Sequence, residues 1–361
     1  MPLSAYIHIP FCSGKCKYCA FVSFNKPEFI TGYIFSLMKE ISENYSGEEL
    51  KTLYFGGGTP SLVSADLIEK IVKKFRLVKD AEVTFELNPD DSSAGYLKAL
   101  HEAGINRLSI GSQTFDDNIL RLIGRRHDST QIIKAVDEAK LAGFENISVD
   151  LIYGLPTQTQ EGLRKDLDSF LNLDIQHIST YGLKIEEGSF FGKNPPKNLP
   201  DDDEQADMYE YINFTLEKCG FKRYEISNFA QSGFESKHNL NYWNNDEYYG
   251  FGAAAHGYIN GIRYFNHNTI EKYLENPASH AYGKTLTQSE KLEEEIFLGF
   301  RKTSGVDIKR IKERFDVDFE TKYADVLDKY RDFFEKTQDG YKLNLKGVLV
   351  SNIILAEFIE G

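Results

Sequence analysis

The sequence predicts an α/β fold in which an open, partial (β/α)6 barrel is followed by a small C-terminal α/β domain of winged-helix style. Six strand-like apolar runs lie between residues 6 and 185, and a helical stretch follows each of them. Such alternation produces a parallel sheet with helices packed outside it. Six units are too few for an eight-stranded closed barrel, and polar residues gather where the runs end, as on the functional face of a barrel.

The predicted elements of the barrel come in strand–helix order. The strands are residues 6–11, 51–55, 82–87, 107–110, 146–152 and 177–185. Apolar residues at helical spacing predict helices at 27–45, 64–75, 94–103, 129–142 and 163–173. Pro27 suits a first helical turn, where a missing N–H costs nothing, and Ser64 can cap the next helix.

The chain beyond the barrel divides into a barrel-closing region and a C-terminal domain. A proline-rich, then acidic linker at 195–203 precedes a helix at 205–219 and an aromatic-rich stretch at 221–264. Further helices are predicted at 290–301, 308–315, 323–336 and 347–358, with a hairpin at 340–345. We therefore predict three parts, which cover residues 1–200, 201–285 and 286–361.

The composition argues against several classes of protein. With 361 residues, of which 41% are hydrophobic, the chain can bury a large core and is globular. A net charge of −13 argues against nucleic-acid binding, which needs a basic surface. No apolar run approaches the ~20 residues of a transmembrane helix, and no signal peptide fits ahead of Cys12. Four cysteines, three of them clustered, favour a reducing cytoplasm.

Three cysteines in a short loop are the strongest chemical signal. Cys12, Cys16 and Cys19 follow the first strand with C-x3-C-x2-C spacing. Thiolate is the soft ligand that iron–sulfur clusters prefer, so the three can hold three corners of a [4Fe–4S] cluster. Phe21 stands where a fourth cysteine could follow, which leaves one iron open to another ligand. A zinc knuckle with His8 is the alternative, although structural zinc usually draws on two ligand pairs.

Glycines and polar residues at later strand ends are candidate ligand-binding groups. The run 56–59 follows the second strand, and its missing Cβ atoms let a ligand approach the backbone. Glu86, Gln113 and Asp150 follow three further strands and can hydrogen-bond a ligand. Arg125 can pair with a carboxylate through two bonds. Taken singly, each is an ordinary polar residue at a loop edge.

The spacing of the cysteines resembles that of the radical S-adenosylmethionine (SAM) superfamily. The resemblance implies a partial (β/α)6 barrel, with SAM bound to the open iron through its amino and carboxylate groups. The motifs of this superfamily occur in the same order in this chain, over about residues 6–186. The SAM-binding residues that it implies are Tyr6, Gly57, Gly58, Thr59, Glu86, Gln113, Arg125 and Asp150.

Further motifs resemble the oxygen-independent coproporphyrinogen III oxidase-like family over nearly the whole chain. They lie at residues 6–12, 55–60, 108–113, 124–127, 150–156 and 297–301. The oxidases of this family carry a fourth cysteine and a longer N-terminal arm. This chain instead has Phe21 and only 11 residues ahead of Cys12, and both departures weigh against oxidase activity.

The HemW-type heme chaperone branch of this family is marked by H-N-x-x-Y-W, which this chain carries from His238 to Trp243. The resemblance implies that His238 helps to bind heme, since imidazole ligates heme iron. A packed surface turn is the alternative for this segment. His256 lies in a glycine- and alanine-rich run and is a second, weaker ligand candidate, for which a structural role is the alternative.

Two functions follow from the resemblance. The first is a cytoplasmic protein that binds a [4Fe–4S] cluster, SAM and heme, and that passes heme to an acceptor protein. The second is a coproporphyrinogen III dehydrogenase, in which a reduced cluster splits SAM and the resulting radical takes hydrogen from substrate propionates. Both handle heme or porphyrin and need a reduced electron donor such as flavodoxin or ferredoxin.

The sequence leaves other points open. It assigns no catalytic residue and does not decide whether the chain is an enzyme, forms a homodimer or visits membranes transiently. A heme-degrading radical methylase has no supporting motif.

Overall fold

A computed structural model of the chain describes residues 1–359. The strands of its main sheet are β1 (Ser4–Ile9), β2 (Glu49–Gly57), β3 (Arg76–Leu87), β4 (Arg107–Gln113), β5 (Ile147–Tyr153), β6 (His177–Gly182), β7 (Lys222–Arg223), β8 (Asn228–Ala230) and β9 (Tyr249–Phe251). The helices of this part are α1 (Ile30–Asn44), α2 (Ala65–Val72), α3 (Ala94–Glu102), α4 (Asp117–Ile123), α5 (Ser129–Leu141), α6 (Gln160–Leu171), α7 (Phe190–Lys193), α8 (Asp202–Lys218), α9 (Lys237–Trp243) and α10 (Ile270–Glu275).

Strands β1 to β6 form a parallel sheet in the order of the sequence, which confirms the predicted six-unit barrel. The strands bury apolar side chains against the helices because crossover helices cover the outer face of a parallel sheet. Helix α5 shows how the local sequence determines where a helix begins and which face it buries. Asp128 and Gln131 form a capping box at its start, and the helix then buries Ile132 and Val136 in the main core.

Short strands extend the sheet at both edges. Strand β9 pairs in parallel with β1, with Ala5 opposite Tyr249. At the other edge β8 runs antiparallel to β6, and β7 runs antiparallel to β8. The order is β7-β8-β6-β5-β4-β3-β2-β1-β9. No pairing joins β7 to β9 within the described residues, so the barrel is open as predicted.

Several element ends differ from those predicted. The last barrel strand ends at Gly182 rather than at residue 185. Helix α6 begins at Gln160, because the Thr159 side chain accepts a hydrogen bond from the Gly162 N–H and caps it. Helix α4 is not predicted from the sequence; Asp116 caps its start, and Gly124 ends it in the left-handed conformation.

Two small antiparallel sheets follow the barrel. The first consists of β10 (His256–Ile259), β11 (Ile262–Asn266) and β12 (His280–Thr285), in that order. The second consists of β13 (Val306–Asp307), β14 (Phe334–Lys336) and β15 (Gly340–Leu343), in the order β13-β15-β14. The last helices are α11 (Gln288–Gly299), α12 (Ile308–Phe315), α13 (Phe319–Lys322), α14 (Ala324–Lys329), α15 (Leu345–Leu349) and α16 (Ser351–Ala356).

The predicted helix at 323–336 is wrong in its second half. Helix α14 ends at Lys329, a 3-10 turn covers Arg331–Phe333, and Phe334–Lys336 then form β14. These three residues pair with β15 across a short turn, so tertiary strand pairing overrides the helical pattern. The predicted helix at 347–358 is divided into α15 and α16.

Two large hydrophobic cores support this architecture, and a third, smaller cluster contains Ile123, Leu155 and Phe191. The main core fills the space between the barrel strands and their helices. The second core lies in the C-terminal part and is built around Phe300, Phe319 and Phe358. Tyr209 of α8 belongs to the second core, and its ring centroid lies 6.0 Å from that of Tyr153 on β5. Within residues 1–359, none of the helices has the length and apolar character needed to cross a membrane.

Candidate functional site

A cavity of about 680 Å³ opens where the barrel strands end. This volume is within the usual range for a small-molecule site. Its lining brings together ten of the residues singled out from the sequence: Cys12, Cys16, Cys19, Gly57, Gly58, Thr59, Glu86, Gln113, Arg125 and Asp150. The predicted gathering of these residues at one end of the barrel is therefore what the structure shows.

The cysteine loop is held to the barrel by backbone hydrogen bonds. The Cys12 N–H donates to the Phe24 carbonyl at 3.1 Å, and the Lys17 N–H donates to the Ile123 carbonyl at 2.9 Å. All three cysteines of the loop are free thiols and partly exposed. Burial raises the pKa of the Cys19 thiol.

Two neighbouring side chains donate to the thiol sulfurs. The Thr59 hydroxyl lies 3.4 Å from Cys12 Sγ, and Arg125 Nη1 lies 3.5 Å from Cys16 Sγ. Both groups can hydrogen-bond the sulfur of a thiolate, which is the form of cysteine that binds metal.

The residues present fit a [4Fe–4S] cluster better than a single metal ion. Three thiols and no other soft ligand line the cavity. In the described residues, no three side chains of the metal-binding types converge on one point. The thiols of a cubic cluster bind different irons, so they need not converge.

The glycine run lets β2 and the cysteine loop approach each other closely. Gly57 has a φ of +113°, and a Cβ atom there would lie 2.4 Å from the His8 ring. A Cβ atom on Gly58 would lie 2.6 Å from the Phe11 carbonyl oxygen. Side chains at these two positions would push the strand away from the loop that carries the cysteines.

Glu86 and Asp150 are two of the carboxyl groups on the cavity wall. The Glu86 carboxyl accepts a bond of 2.7 Å from the Tyr54 hydroxyl and one of 3.2 Å from the Gly57 N–H. Burial raises its pKa to about 7. Burial likewise raises the pKa of Asp150 to about 6, and the Ser109 hydroxyl donates to its Oδ1 at 3.3 Å. Both groups can accept hydrogen bonds from a ligand.

Arg125 and Gln113 complete the polar lining. Arg125 donates from Nη2 to Asn88 Oδ1 at 2.8 Å and to the Gly111 carbonyl. Its buried Nε has no hydrogen-bond partner, which is unusual for a buried donor and suits a carboxylate from a ligand. Gln113 has a φ of +70°, a strained conformation for a residue with a side chain, of the kind that clusters at functional sites.

Tyr6 and His238 are not brought to this cavity. The Tyr6 hydroxyl lies 2.9 Å from His8 Nδ1, and its ring lies 6.0 Å from that of Tyr54. Tyr54 therefore lies between Tyr6 and Glu86, because its ring stacks on Tyr6 and its hydroxyl is hydrogen-bonded to Glu86.

The side chain of His238 lies inside the protein, at 1% exposure. Its Nδ1 lies 2.7 Å from the Thr52 hydroxyl and its Nε2 lies 2.8 Å from the Tyr242 hydroxyl. The ring also stacks on Tyr54 at 5.0 Å. Burial lowers its pKa to about 3, so the ring is neutral at neutral pH. A heme iron would have to replace one of its two hydrogen bonds.

The start of helix α9 is fixed by one buried carboxylate. Glu82 accepts hydrogen bonds from the N–H groups of Lys237 and His238, both at 3.0 Å, and from the Ser236 hydroxyl at 3.4 Å. An acidic side chain at a helix start also interacts favourably with the positive end of the helix dipole. The H-N-x-x-Y-W segment is therefore anchored on strand β3.

Arg107 and Asn88 are further polar residues that the sequence motifs do not single out. Arg107 is 2% exposed in the barrel interior, and its positive charge opposes the rise in pKa of Glu86 and Asp150. Asn88 donates to Thr59 Oγ1 at 3.4 Å and accepts from Arg125. Arg107 could have been identified from the sequence because it is a charged residue at the start of a predicted strand. Asn88 could have been identified because it directly follows β3, at the same end of the barrel as the other polar residues.

Comparisons with known proteins agree with this geometry. The family model described as Radical SAM superfamily matches residues 6–170, and the model described as HemN C-terminal domain matches residues 286–350. The chain is 40% identical to the Heme chaperone HemW of Lactococcus lactis, over 99% of this chain and 97% of that protein. It is also 40% identical to the Heme chaperone HemW of Bacillus subtilis, over 99% of each.

A solved structure shares the fold. Coproporphyrinogen III oxidase (HemN) from Escherichia coli, a radical SAM enzyme, superposes with a TM-score of 0.87 over 99% of this chain and 90% of that chain. The identity between the two is 24%, so this likeness concerns the architecture.

The fold, the three cysteines that line the cavity and the family model together define the class of protein: the chain is a member of the radical SAM superfamily. Within that superfamily, identity of 40% over almost the whole chain is decisive. The chain belongs to the HemW family.

Proposed function

We propose that this protein is a heme chaperone that holds a [4Fe–4S] cluster and SAM in the barrel cavity and passes heme to an acceptor protein. The observation that carries the proposal is the identity of 40% to two proteins named Heme chaperone HemW, each over 99% of this chain. The absence of a membrane-spanning helix in residues 1–359 is compatible with work in the cytoplasm, where thiols stay reduced.

In this proposal Cys12, Cys16 and Cys19 hold the cluster. Thr59 and Arg125 donate toward the sulfurs and stabilise the thiolate charge. When bound, the cluster supplies an open iron site and an electron received from a reduced donor of the flavodoxin or ferredoxin type.

The remaining lining residues bind and orient SAM. The unpartnered Arg125 Nε and the amide of Gln113 suit the carboxylate end, and Gly57 and Gly58 belong to the same cavity lining. Glu86 and Asp150 accept hydrogen bonds from amine or hydroxyl groups. Tyr6 acts on SAM indirectly. Its ring stacks on that of Tyr54, and the Tyr54 hydroxyl positions Glu86 through a hydrogen bond.

The test is to reconstitute the cluster without oxygen, to titrate heme and to assay coproporphyrinogen III with SAM. We expect heme to bind in stoichiometric amount, seen in its Soret absorption and in quenching of Trp243, the single tryptophan of the chain. We expect no vinyl products. Vinyl products together with release of 5′-deoxyadenosine would show instead that the chain is a coproporphyrinogen III dehydrogenase.

The cluster assignment has a matched control in the same chain. Replacement of Cys12, Cys16 or Cys19 by Ser should abolish the iron–sulfur absorption. Cys219→Ser should retain it, because Cys219 is an exposed thiol outside the loop. Equal iron and sulfide content in Cys16→Ser and Cys219→Ser would contradict the assignment.

A further inference from the structure

Arg107, at the start of β4, is a buried arginine that has no counter-ion of its own. Its side chain is 2% exposed, and its Nε has no hydrogen-bond partner. It takes part in none of the arginine ion pairs found in residues 1–359. A buried charge without a partner is costly, and buried donors are almost always bonded. An arginine in this state suits an anionic ligand.

The carboxyl groups on the same inner face of the barrel are bonded to other donors. Glu82 accepts from two backbone N–H groups at the start of α9, Glu86 accepts from a tyrosine hydroxyl, and Asp150 accepts from a serine hydroxyl. Burial raises the pKa of Glu86 to about 7 and that of Asp150 to about 6, so both are more easily protonated than ordinary carboxyl groups. None of the three forms an ion pair with Arg107.

Arg107 shares one row of the sheet with two stacked tyrosine rings. Its register partner on β3 is Thr84, the partner of Thr84 on β2 is Tyr54, and the partner of Tyr54 on β1 is Tyr6. These four side chains point to the same face, and the Cα atoms of Arg107 and Tyr54, two strands apart, are separated by about 10 Å. The rings of Tyr6 and Tyr54 are stacked at 6.0 Å. The inner face therefore presents a cation beside two aromatic rings.

Helix α9 adds an imidazole to this group. The ring of His238 stacks on that of Tyr54, with 5.0 Å between the centroids and 25° between the planes. Burial lowers the pKa of His238 to about 3, and the positive charge of Arg107 contributes to the lowering. The guanidinium is therefore near enough to act on the imidazole, and the three side chains belong to one group inside the barrel.

This group matches three chemical features of heme. A neutral imidazole ligates heme iron, aromatic rings pack against the porphyrin, and an arginine pairs with a carboxylate through two parallel hydrogen bonds. Heme carries two propionate carboxylates at the edge of its ring, away from the iron. A carboxylate bound at Arg107 would also supply a negative charge to a guanidinium that is buried without one.

We propose that Arg107 binds a propionate carboxylate of heme while His238 binds the heme iron. The assignment rests on the proposed function, because heme is the cargo of the chaperone. For the iron to bind His238, the hydroxyl of Thr52 or of Tyr242 gives up its hydrogen bond to the ring. Arg107 then selects for tetrapyrroles whose propionates are free acids.

SAM also carries a carboxylate, and the structure favours a different arginine for it. Arg125 lies beside Cys16 of the cysteine loop and lines the cavity. Arg107 is two residues before Ser109, which lines the cavity on the same strand. Since side chains two residues apart on a strand share a face, Arg107 lies deeper in the barrel than the cavity wall.

The first measurement compares heme with heme dimethyl ester, whose propionates are neutral, in titrations of the reconstituted wild-type chain. We expect heme to bind at least about tenfold more tightly, which is within what a hydrogen bond to a charged group contributes. Equal affinity for the two compounds would overturn the proposal while the chaperone function stands. No binding of either compound would overturn both.

Substitutions of Arg107 then locate the preference. In Arg107→Gln we expect the affinity for heme to fall to that for the ester, with the affinity for the ester and the Soret maximum unchanged, because His238 still binds the iron. Arg107→Lys should keep part of the preference. Arg223→Gln is the matched control and should keep all of it: the Nε of Arg223 is also unpartnered, but Arg223 donates to the Tyr209 hydroxyl at 3.3 Å.

Three results with Arg107→Gln would overturn the proposal. An equal loss of affinity for heme and for its ester would mean that Arg107 only supports the fold. A full preference for heme in this variant would mean that another cation binds the propionate. Weaker binding of SAM, with the preference for heme unchanged, would show that Arg107 binds SAM instead.

Discussion

At the scale of single residues, Gly58 sets the distance between strand β2 and the cysteine loop. The space where its Cβ atom would stand is bounded by backbone atoms, with the Phe11 carbonyl oxygen at 2.6 Å and the Ile9 carbonyl oxygen at 2.9 Å. Backbone atoms cannot turn aside as a flexible side chain can. An added methyl group would therefore move the segment that leads into Cys12.

We predict that Gly58→Ala lowers the amount of cluster bound after reconstitution. The overpacking should also reduce the free energy of unfolding by about 1–3 kcal/mol. Iron and sulfide analysis and urea denaturation measure the two effects. Gly14→Ala is the matched control, because Gly14 lies inside the cysteine loop with nothing within 4 Å of its Cβ position. Equal cluster content in the two variants would contradict this account.

The chemistry of a residue could be inferred from the sequence more readily than its surroundings. The three cysteines form a local motif, and the structure places them together on the cavity wall. His238 lies 186 positions from Thr52, to which it is hydrogen-bonded. No local pattern reveals such a partner. The glutamate that caps its helix, Glu82, is likewise distant in the chain.

At the scale of elements, one carboxyl group joins helix α1 to the glycine-rich segment after β9. Glu40 on α1 accepts hydrogen bonds from the Gly252 N–H at 2.9 Å, from Asn266 Nδ2 at 2.7 Å and from the Tyr273 hydroxyl at 2.5 Å. Burial nevertheless raises its pKa to about 7. The folded protein therefore holds a proton here at pH values where the unfolded chain has lost it.

We predict that Glu40 makes the protein less stable as pH rises. Between about pH 4.5 and pH 7 the unfolded chain binds fewer protons at this site, so unfolding becomes easier by about 1.4 kcal/mol per pH unit. Above pH 7 the effect levels off, since both states are ionised. Urea unfolding at a series of pH values measures the slope.

The variant Glu40→Gln should remove this part of the pH dependence, because an amide does not titrate. The matched control is Glu43→Gln on the same helix, which alters an exposed carboxyl group and should leave the slope as it is in the wild type. The same slope in Glu40→Gln and Glu43→Gln would refute the assignment to Glu40.

Long, regular elements were predictable, whereas short ones depended on tertiary pairing. Each of the six barrel strands carries several apolar residues, and the structure confirms all six. Strand β9 has three residues, and it is a strand because β1 lies beside it with an open edge. Strand β14 overrides a helical pattern for the same reason, since β15 offers it a pairing edge.

At the scale of the whole molecule, the barrel meets the C-terminal part around a buried acid and an arginine. Glu225 precedes β8 and is 1% exposed. Burial raises its pKa to about 7, and the positive charge of Arg301, just beyond α11, opposes that rise. Arg301 also lies over the rings of Trp243 and Phe297, at 5.8 Å and 4.7 Å from their centroids. Trp243 ends helix α9, so this single tryptophan reports on the junction.

We predict that Arg301→Ala weakens the junction and shifts the unfolding transition seen by Trp243 fluorescence to lower urea. Two cation–π contacts at about 0.5–1 kcal/mol each would be lost, so the free energy of unfolding should fall by about 1–2 kcal/mol. Arg331→Ala is the matched control, since Arg331 is 76% exposed in the same C-terminal part and pairs with Asp328. Exposed pairs of this kind contribute about 0–1 kcal/mol, so this variant should unfold close to the wild-type midpoint. A fluorescence midpoint that Arg301→Ala leaves in place would mean that the junction is held by the Tyr153–Tyr209 contact and the second core rather than by this arginine.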